Sequence, residues 1–182
     1  QKPSRYTGGE YGQIIKSMAD VDTRVALCFP DTYEIGMSNL GIRILYGLAN
    51  RLDGVWCERV FAPWGDMETA MREVQLPLYG LESGDAVSSF DIVAFSLGYE
   101  MAYTNVLNML DLAGIPLRSS ERKGLTPLVI AGGVCAYNPE PMADFMDLFI
   151  IGEGEEVNTE VIEAYRKAKK RGIGKDAFLR EA

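Results

Sequence analysis

The chain has 182 residues, a length that suits one domain with a proper core, and its 47% apolar and 24% charged residues are the balance of a globular protein. A net charge of −8 argues against a nucleic-acid surface, which needs a basic field to track the phosphate backbone. No apolar run approaches the roughly 20 residues of a bilayer span, and the opening "QKPSRYTGGE" has no apolar signal region, so a cytoplasmic location is expected.

Residues 1–22 are mixed and glycine-containing and read as an arm, with a short helix at Tyr11 to Met18. "RVALCF" (Arg24 to Phe29) is short, apolar and bounded by Pro30, the signature of a strand buried on both faces. "SNLGIRILYGLANRL" (Ser38 to Leu52) spaces Leu40, Ile44, Leu48 and Leu52 by four and predicts a helix capped by Ser38. Its glycines, Gly41 and Gly47, make sense where a helix lies close to a sheet or a ligand. "VWCERVF" (Val55 to Phe61) predicts a strand whose charged positions place it at an edge, and Asp66 to Val74 a short helix. "DIVAFSL" (Asp91 to Leu97) predicts a buried strand, and Thr104 to Gly114 a helix stopped by Gly114. Pro127 to Gly133 and Asp147 to Gly152 complete the strands. The last helix, Glu155 to Arg171, buries Val157, Val161, Tyr165 and Ala168 and has acids at its positive end and bases at its negative end. Gly172 stops it, and residues 173–182 read as a tail or linker.

Apolar strands alternating with helices specify parallel βαβ units, hence an α/β, doubly wound, flavodoxin-like sheet of order 2-1-3-4-5 spanning residues 23–172. In such a sheet ligands bind beyond the carboxyl ends of the strands. Those ends are "PDTYEIG", "APWGD", "GYEMAYT", "GVCAYNPEP" and "GEGEE", where most of the conspicuous glycines, prolines, aromatics and acids gather. Asp31 can accept hydrogen bonds from a cofactor or cap its own turn. Tyr33 can stack on a planar ligand or cover the sheet edge. Ser96 can bond a ligand or the backbone, and Gly132 with Gly133 allows a close approach. Glu153 and Glu155 supply negative charge where "GEGE" opens a helix, which favours self-capping over a phosphate site.

The chain has no histidine, so neither a Ser-His nor a Cys-His nucleophile pair exists, and no Gly-x-Gly-x-x-Gly follows the first strand. Cys28, Cys57 and Cys135 are too dispersed for a disulfide framework or a metal motif.

As a set, "PDTYEIGMSNLGIRILYGLAN", "ERVFAPWGDME", "FSLGYEMAYTNVLNMLDLAGIPL" and "PLVIAGGVCAYNPEPMADFMDLFIIGEGEE" resemble the amino-terminal, cobalamin-binding-like domain of a radical S-adenosylmethionine (radical SAM) protein family that opens with "KPSRYTGGE"-type residues. The resemblance implies a carboxy-terminal partner domain in the same protein, holding S-adenosylmethionine and a four-iron, four-sulfur cluster on a Cys-x-x-x-Cys-x-x-Cys loop that this chain lacks. Carried over to this chain, the cobalamin loop retains Asp31 and Gly36 but has Tyr33 at the cobalt-ligating histidine position; Ser96-Leu97 approximates its Ser-x-Leu element, and Gly132 and Gly133 match its glycine pair. The expectation is a domain that does no chemistry alone and shapes or covers the substrate site of its parent without histidine-ligated cobalamin. A cobalamin carrier for radical methyl transfer and a plain interaction scaffold stand as alternatives.

Overall fold

The computed structural model describes residues 2–181. Strands β1 (Thr23–Phe29), β2 (Val55–Phe61), β3 (Ile92–Ser96), β4 (Leu128–Gly132) and β5 (Leu148–Ile150) form one sheet, all parallel, in the order β2-β1-β3-β4-β5. Every residue of β1 is buried, because helices cover both faces of the sheet.

Alternate side chains of each strand feed two separate cores. Ala26, Cys28, Val93, Phe95, Val129 and Ala131 face one side. There they meet Met71 of α3 (Gly65–Glu73) and Val106, Met109 and Leu110 of α4 (Tyr103–Leu112). Val25, Leu27, Ile92, Ala94, Leu128 and Ile130 face the other. Their partners are Ile42 and Tyr46 of α2 (Leu40–Asn50) and Ile162 and Tyr165 of α5 (Gly154–Arg171).

Three expectations need correction. The helix expected from Ser38 is two elements, α1 (Tyr33–Ser38) and α2, and the cap is Asn39, whose side chain accepts from the Ile42 N–H at 3.1 Å. The buried stripe of α2 is Ile42, Tyr46 and Ala49, while Leu40 (67%) and Ile44 (38%) are exposed. A four-residue spacing marks a helix face but not which face turns inward. The arm has no α-helix at Tyr11 to Met18, where Gly12 takes φ +77°, and only a short 3-10 turn, Met18–Asp20, at its end. It lies against α2 and β2 through side chains instead: the Tyr46 hydroxyl accepts from the Ile14 N–H at 2.7 Å, and the Ile14 carbonyl accepts from Trp56 Nε1 at 3.0 Å. Finally, where a tail or linker is expected, helix α6 (Lys175–Glu181) inserts Phe178, 3% exposed, against Tyr165.

Strand β2 is an edge, as its charges suggested, yet those charges are not in solvent. Glu58 is fully buried and accepts from Arg24 Nη2, and Arg59 Nε bonds Glu82 Oε1 at 2.6 Å. The free side of the strand is closed by side chains. Asn50 bonds both the N–H and the C=O of Cys57, Glu82 accepts from the Arg59 N–H, and Lys16 donates to the Val55 carbonyl. Such an edge offers no template for a further strand.

Candidate functional site

The carboxyl ends of β1, β3 and β4 converge on a cavity of about 210 Å³ between the first turns of α2 and α5. This is the crevice where the strand order reverses, the usual ligand position in this architecture. Its floor is apolar (Leu27, Ala94, Ile130 and Ile150), and its walls are largely glycine: Gly41, Gly132, Gly133, Gly152 and Gly154.

Each glycine does something different. Gly133 has φ +103°, and a Cβ there would lie 2.7 Å from the Leu97 carbonyl oxygen, so no other residue fits. That approach is pinned by Leu97 N–H to Gly132 O at 2.7 Å and Cys135 N–H to Leu97 O at 3.2 Å. Gly132, paired with Ser96, would meet only Ile150 at ordinary distance, so its lack of a side chain leaves space rather than avoiding a clash. Gly154 lets α5 approach Leu45 of α2, and its carbonyl accepts from Asn158 Nδ2 at 2.6 Å. The Asn158 Oδ1, the Ser96 hydroxyl and the Glu155 carboxylate make no side-chain hydrogen bond among the described residues and are side-chain polar groups that a ligand here could use. An exposed aliphatic residue follows or precedes three of the glycines: Leu40, Val134 (69%) and Ile151 (55%).

Of the residues singled out from the sequence, Ser96, Gly132 and Gly133 line this cavity; Asp31, Tyr33 and Gly36 do not. Asp31 takes its turn-capping role, its carboxylate accepting from the Thr32 N–H at 2.7 Å and the Tyr99 hydroxyl at 2.8 Å, which ties the loops after β1 and β3 together. Tyr33 covers the sheet edge. Its ring meets Phe61 edge-on at 5.7 Å and its hydroxyl donates to Glu10 of the arm. Burial, then the Glu10 carboxylate, pushes its pKa up to about 12, so it stays a neutral phenol. Gly36 is needed for packing, since a Cβ would lie 2.2 Å from the Phe61 ring. Glu153 precedes α5 and is exposed, but its side chain makes no capping hydrogen bond, so the expected self-capping by this residue is not seen.

Sequence reasoning missed Leu45 and Asn158, which helices carry to the cavity from their second turns. The only signal was Gly154 one turn before Asn158. It did flag Gly41 as a close-approach glycine, and Gly41 lines the cavity.

The donor set does not suit an iron–sulfur cluster. Cys28, Cys57 and Cys135 are buried singly, and burial raises the Cys28 and Cys57 thiols well above their ordinary range. Among the described residues no three His, Cys, Asp or Glu side chains come together. Cobalamin fits in part. The glycine walls leave room for close approach of a ligand, but the cavity is only about 210 Å³, the loop after β1 offers cobalt no imidazole, and Tyr33 is turned to Glu10.

Fold and crevice together define a doubly wound α/β domain with a small cavity at its switch point. Residues 41–182 match the family described as radical SAM proteins, N-terminal, and the chain belongs to that family. It is also 28% identical, over 141 residues, to the uncharacterized protein MJ0966 of Methanocaldococcus jannaschii. The match takes in 76% of this chain and 26% of that relative, so the chain spans about a quarter of the relative's length. Ser96, Gly132, Gly133 and Glu153 lie within the family match, whereas Asp31, Tyr33 and Gly36 precede it.

Proposed function

We propose that this domain is an accessory unit that covers or shapes the substrate site of a radical SAM catalytic domain in the same protein. S-adenosylmethionine and the iron–sulfur cluster would belong to that other domain. The carrying observation is that all five strand-end loops present a large apolar side chain to solvent: Ile35, Trp64, Met101, Val134 with Tyr137, and Ile151. A set of this kind at one edge marks an interaction face. Its contribution to catalysis is to keep water and stray reactants from a reactive intermediate. A photo-crosslinking residue placed at Tyr137 of the full-length protein should join this edge to the catalytic part of the same chain. Cross-links only to other proteins would favour a scaffold role instead.

The glycine-walled cavity supports a second reading, a cobalamin module that leaves the lower cobalt face unligated by histidine. Retention of hydroxocobalamin with an altered visible spectrum, abolished by Gly132→Leu, is its expected result. Failure to retain the corrinoid ends it.

A further inference from the structure

The same edge is strongly acidic. The strand-end segments 30–38, 62–66, 97–103, 133–138 and 151–156 contain Asp31, Glu34, Asp66, Glu100, Glu153, Glu155 and Glu156 and not one Lys or Arg. Against a net charge of −8 for the chain, these segments carry nearly all the excess, and the rest of the molecule is close to balanced. Elsewhere the buried acids are answered, Asp147 by Arg122 and Lys175, Glu58 by Arg24 and Glu82 by Arg59, and so are several exposed ones such as Asp22 by Arg166. At this edge, among the described residues, only Glu34 has an ion pair, with Arg5 of the arm. Asp66, Glu100, Glu153, Glu155 and Glu156 are exposed and form no salt bridge among the described residues. Arg43, one turn into α2, is the first base beyond the loop after β1.

We infer that this edge docks a basic, apolar surface of the catalytic part of the same protein. The inference rests on the reading above that the edge meets that part. Exposed aliphatic and aromatic side chains supply contact area, and unpaired carboxylates among them exclude an acidic or purely apolar partner, because burying them unpaired is costly. The N-terminus of α5 does not call for an anionic ligand, since Glu155 and Glu156 already occupy its first turn. Positive charge reaches the edge only on its β2 side, where the arm sets Arg5 over Trp64 and Lys2 near Asp66; beside Glu100, Glu153, Glu155 and Glu156 no salt bridge supplies it among the described residues.

The test is the salt and charge dependence of the Tyr137 cross-link in the full-length protein. Cross-link yield is compared in about 50 mM and about 500 mM NaCl, a change that shortens the screening length from roughly 14 Å to roughly 4 Å. The wild type is set beside a Glu153→Gln, Glu155→Gln, Glu156→Gln variant. Because all three residues are exposed, the variant should fold, with a lowered melting temperature from the loss of two acids at the positive end of α5, which is checked at both salt levels so that cross-linking is compared on folded protein. The expected result is a severalfold fall in yield at high salt and, at low salt, in the variant. A strong cross-link indifferent to salt and to the three substitutions overturns the basic partner while leaving the accessory reading in place. No cross-link to the catalytic part under any condition overturns both.

Discussion

Gly133 holds φ +103° and ψ −179°, a region essentially closed to side-chain-bearing residues, with the Leu97 carbonyl pressed against the place of its missing Cβ. Gly133→Ala should therefore cost about 2–3 kcal/mol in chemical denaturation, whereas Gly132→Ala should stay within about 1 kcal/mol, because its Cβ meets Ile150 at ordinary contact. The two glycines look alike as residues; only their backbone angles separate a structural requirement from an open cavity wall. Asp147 shows the same limit. Burial pushes its carboxyl pKa up, but hydrogen bonds from Ser119, Lys175, the Val129 N–H and Arg122 outweigh that and hold it below the ordinary value. The Arg166 guanidinium lowers Asp22 to about 2 in spite of partial burial. Both carboxyls bind protons less readily folded than unfolded, so their stabilisation is present above about pH 4 and lost as pH falls through the lowered values. Glu82 opposes them, since its burial raises its pKa. Asp147→Asn should cost about 3–5 kcal/mol at pH 7, by leaving Arg122 and Lys175 buried without a countercharge, and should flatten the acid limb of stability against pH.

At the scale of elements, periodicity and caps carried most of the information. Strand β2 runs from Val55 to Phe61 as its sequence predicts, and Gly172 ends α5 at φ +66°. The failures arose where a neighbour decides. Nothing within Leu40 to Leu52 says that Ile42 and Tyr46, rather than Leu40 and Ile44, should face the sheet. Helix α6 was illegible because its one inward aromatic, Phe178, gains its place from Tyr165, which comes from another element. Phe178→Ala should destabilise the domain by about 3–5 kcal/mol in urea unfolding; a change near zero would mean that residues 175–181 do not pack as described. At the end of α3, Gln75 adopts φ +55°, where the N–H of Leu76 turns back to the Met71 carbonyl at 2.8 Å. Gln75→Gly should raise stability by up to about 1 kcal/mol, read as a higher melting temperature.

For the molecule as a whole, topology gathers what the chain disperses. Segments far apart in sequence bring their carboxylates and apolar side chains to one edge because every strand is parallel, so every strand-to-helix loop emerges on the same side. The opposite edge and the flank beside β2 are closed by ion pairs and side-chain hydrogen bonds. Asn50→Ala, which would leave the buried N–H and C=O of Cys57 without partners, should cost about 2–3 kcal/mol. Exposing the β2 edge in this way should also promote association of the full-length protein at high concentration, visible by light scattering.

The amino-acid sequence by itself determined the layer architecture, the strand order and the edge at which the strand-end loops gather. Those depend on hydrophobic period, βαβ handedness and turn residues, all of them local signals. Only the tertiary structure decided which candidate residues share a site. Ser96, Gly132 and Gly133 meet over one cavity, while Asp31, Tyr33 and Gly36 are drawn into holding the arm and the strand-end loops. Local pattern specifies where a loop emerges, but the partner of each side chain is set by long-range packing, and a tyrosine that finds Glu10 is no longer free to face a cofactor.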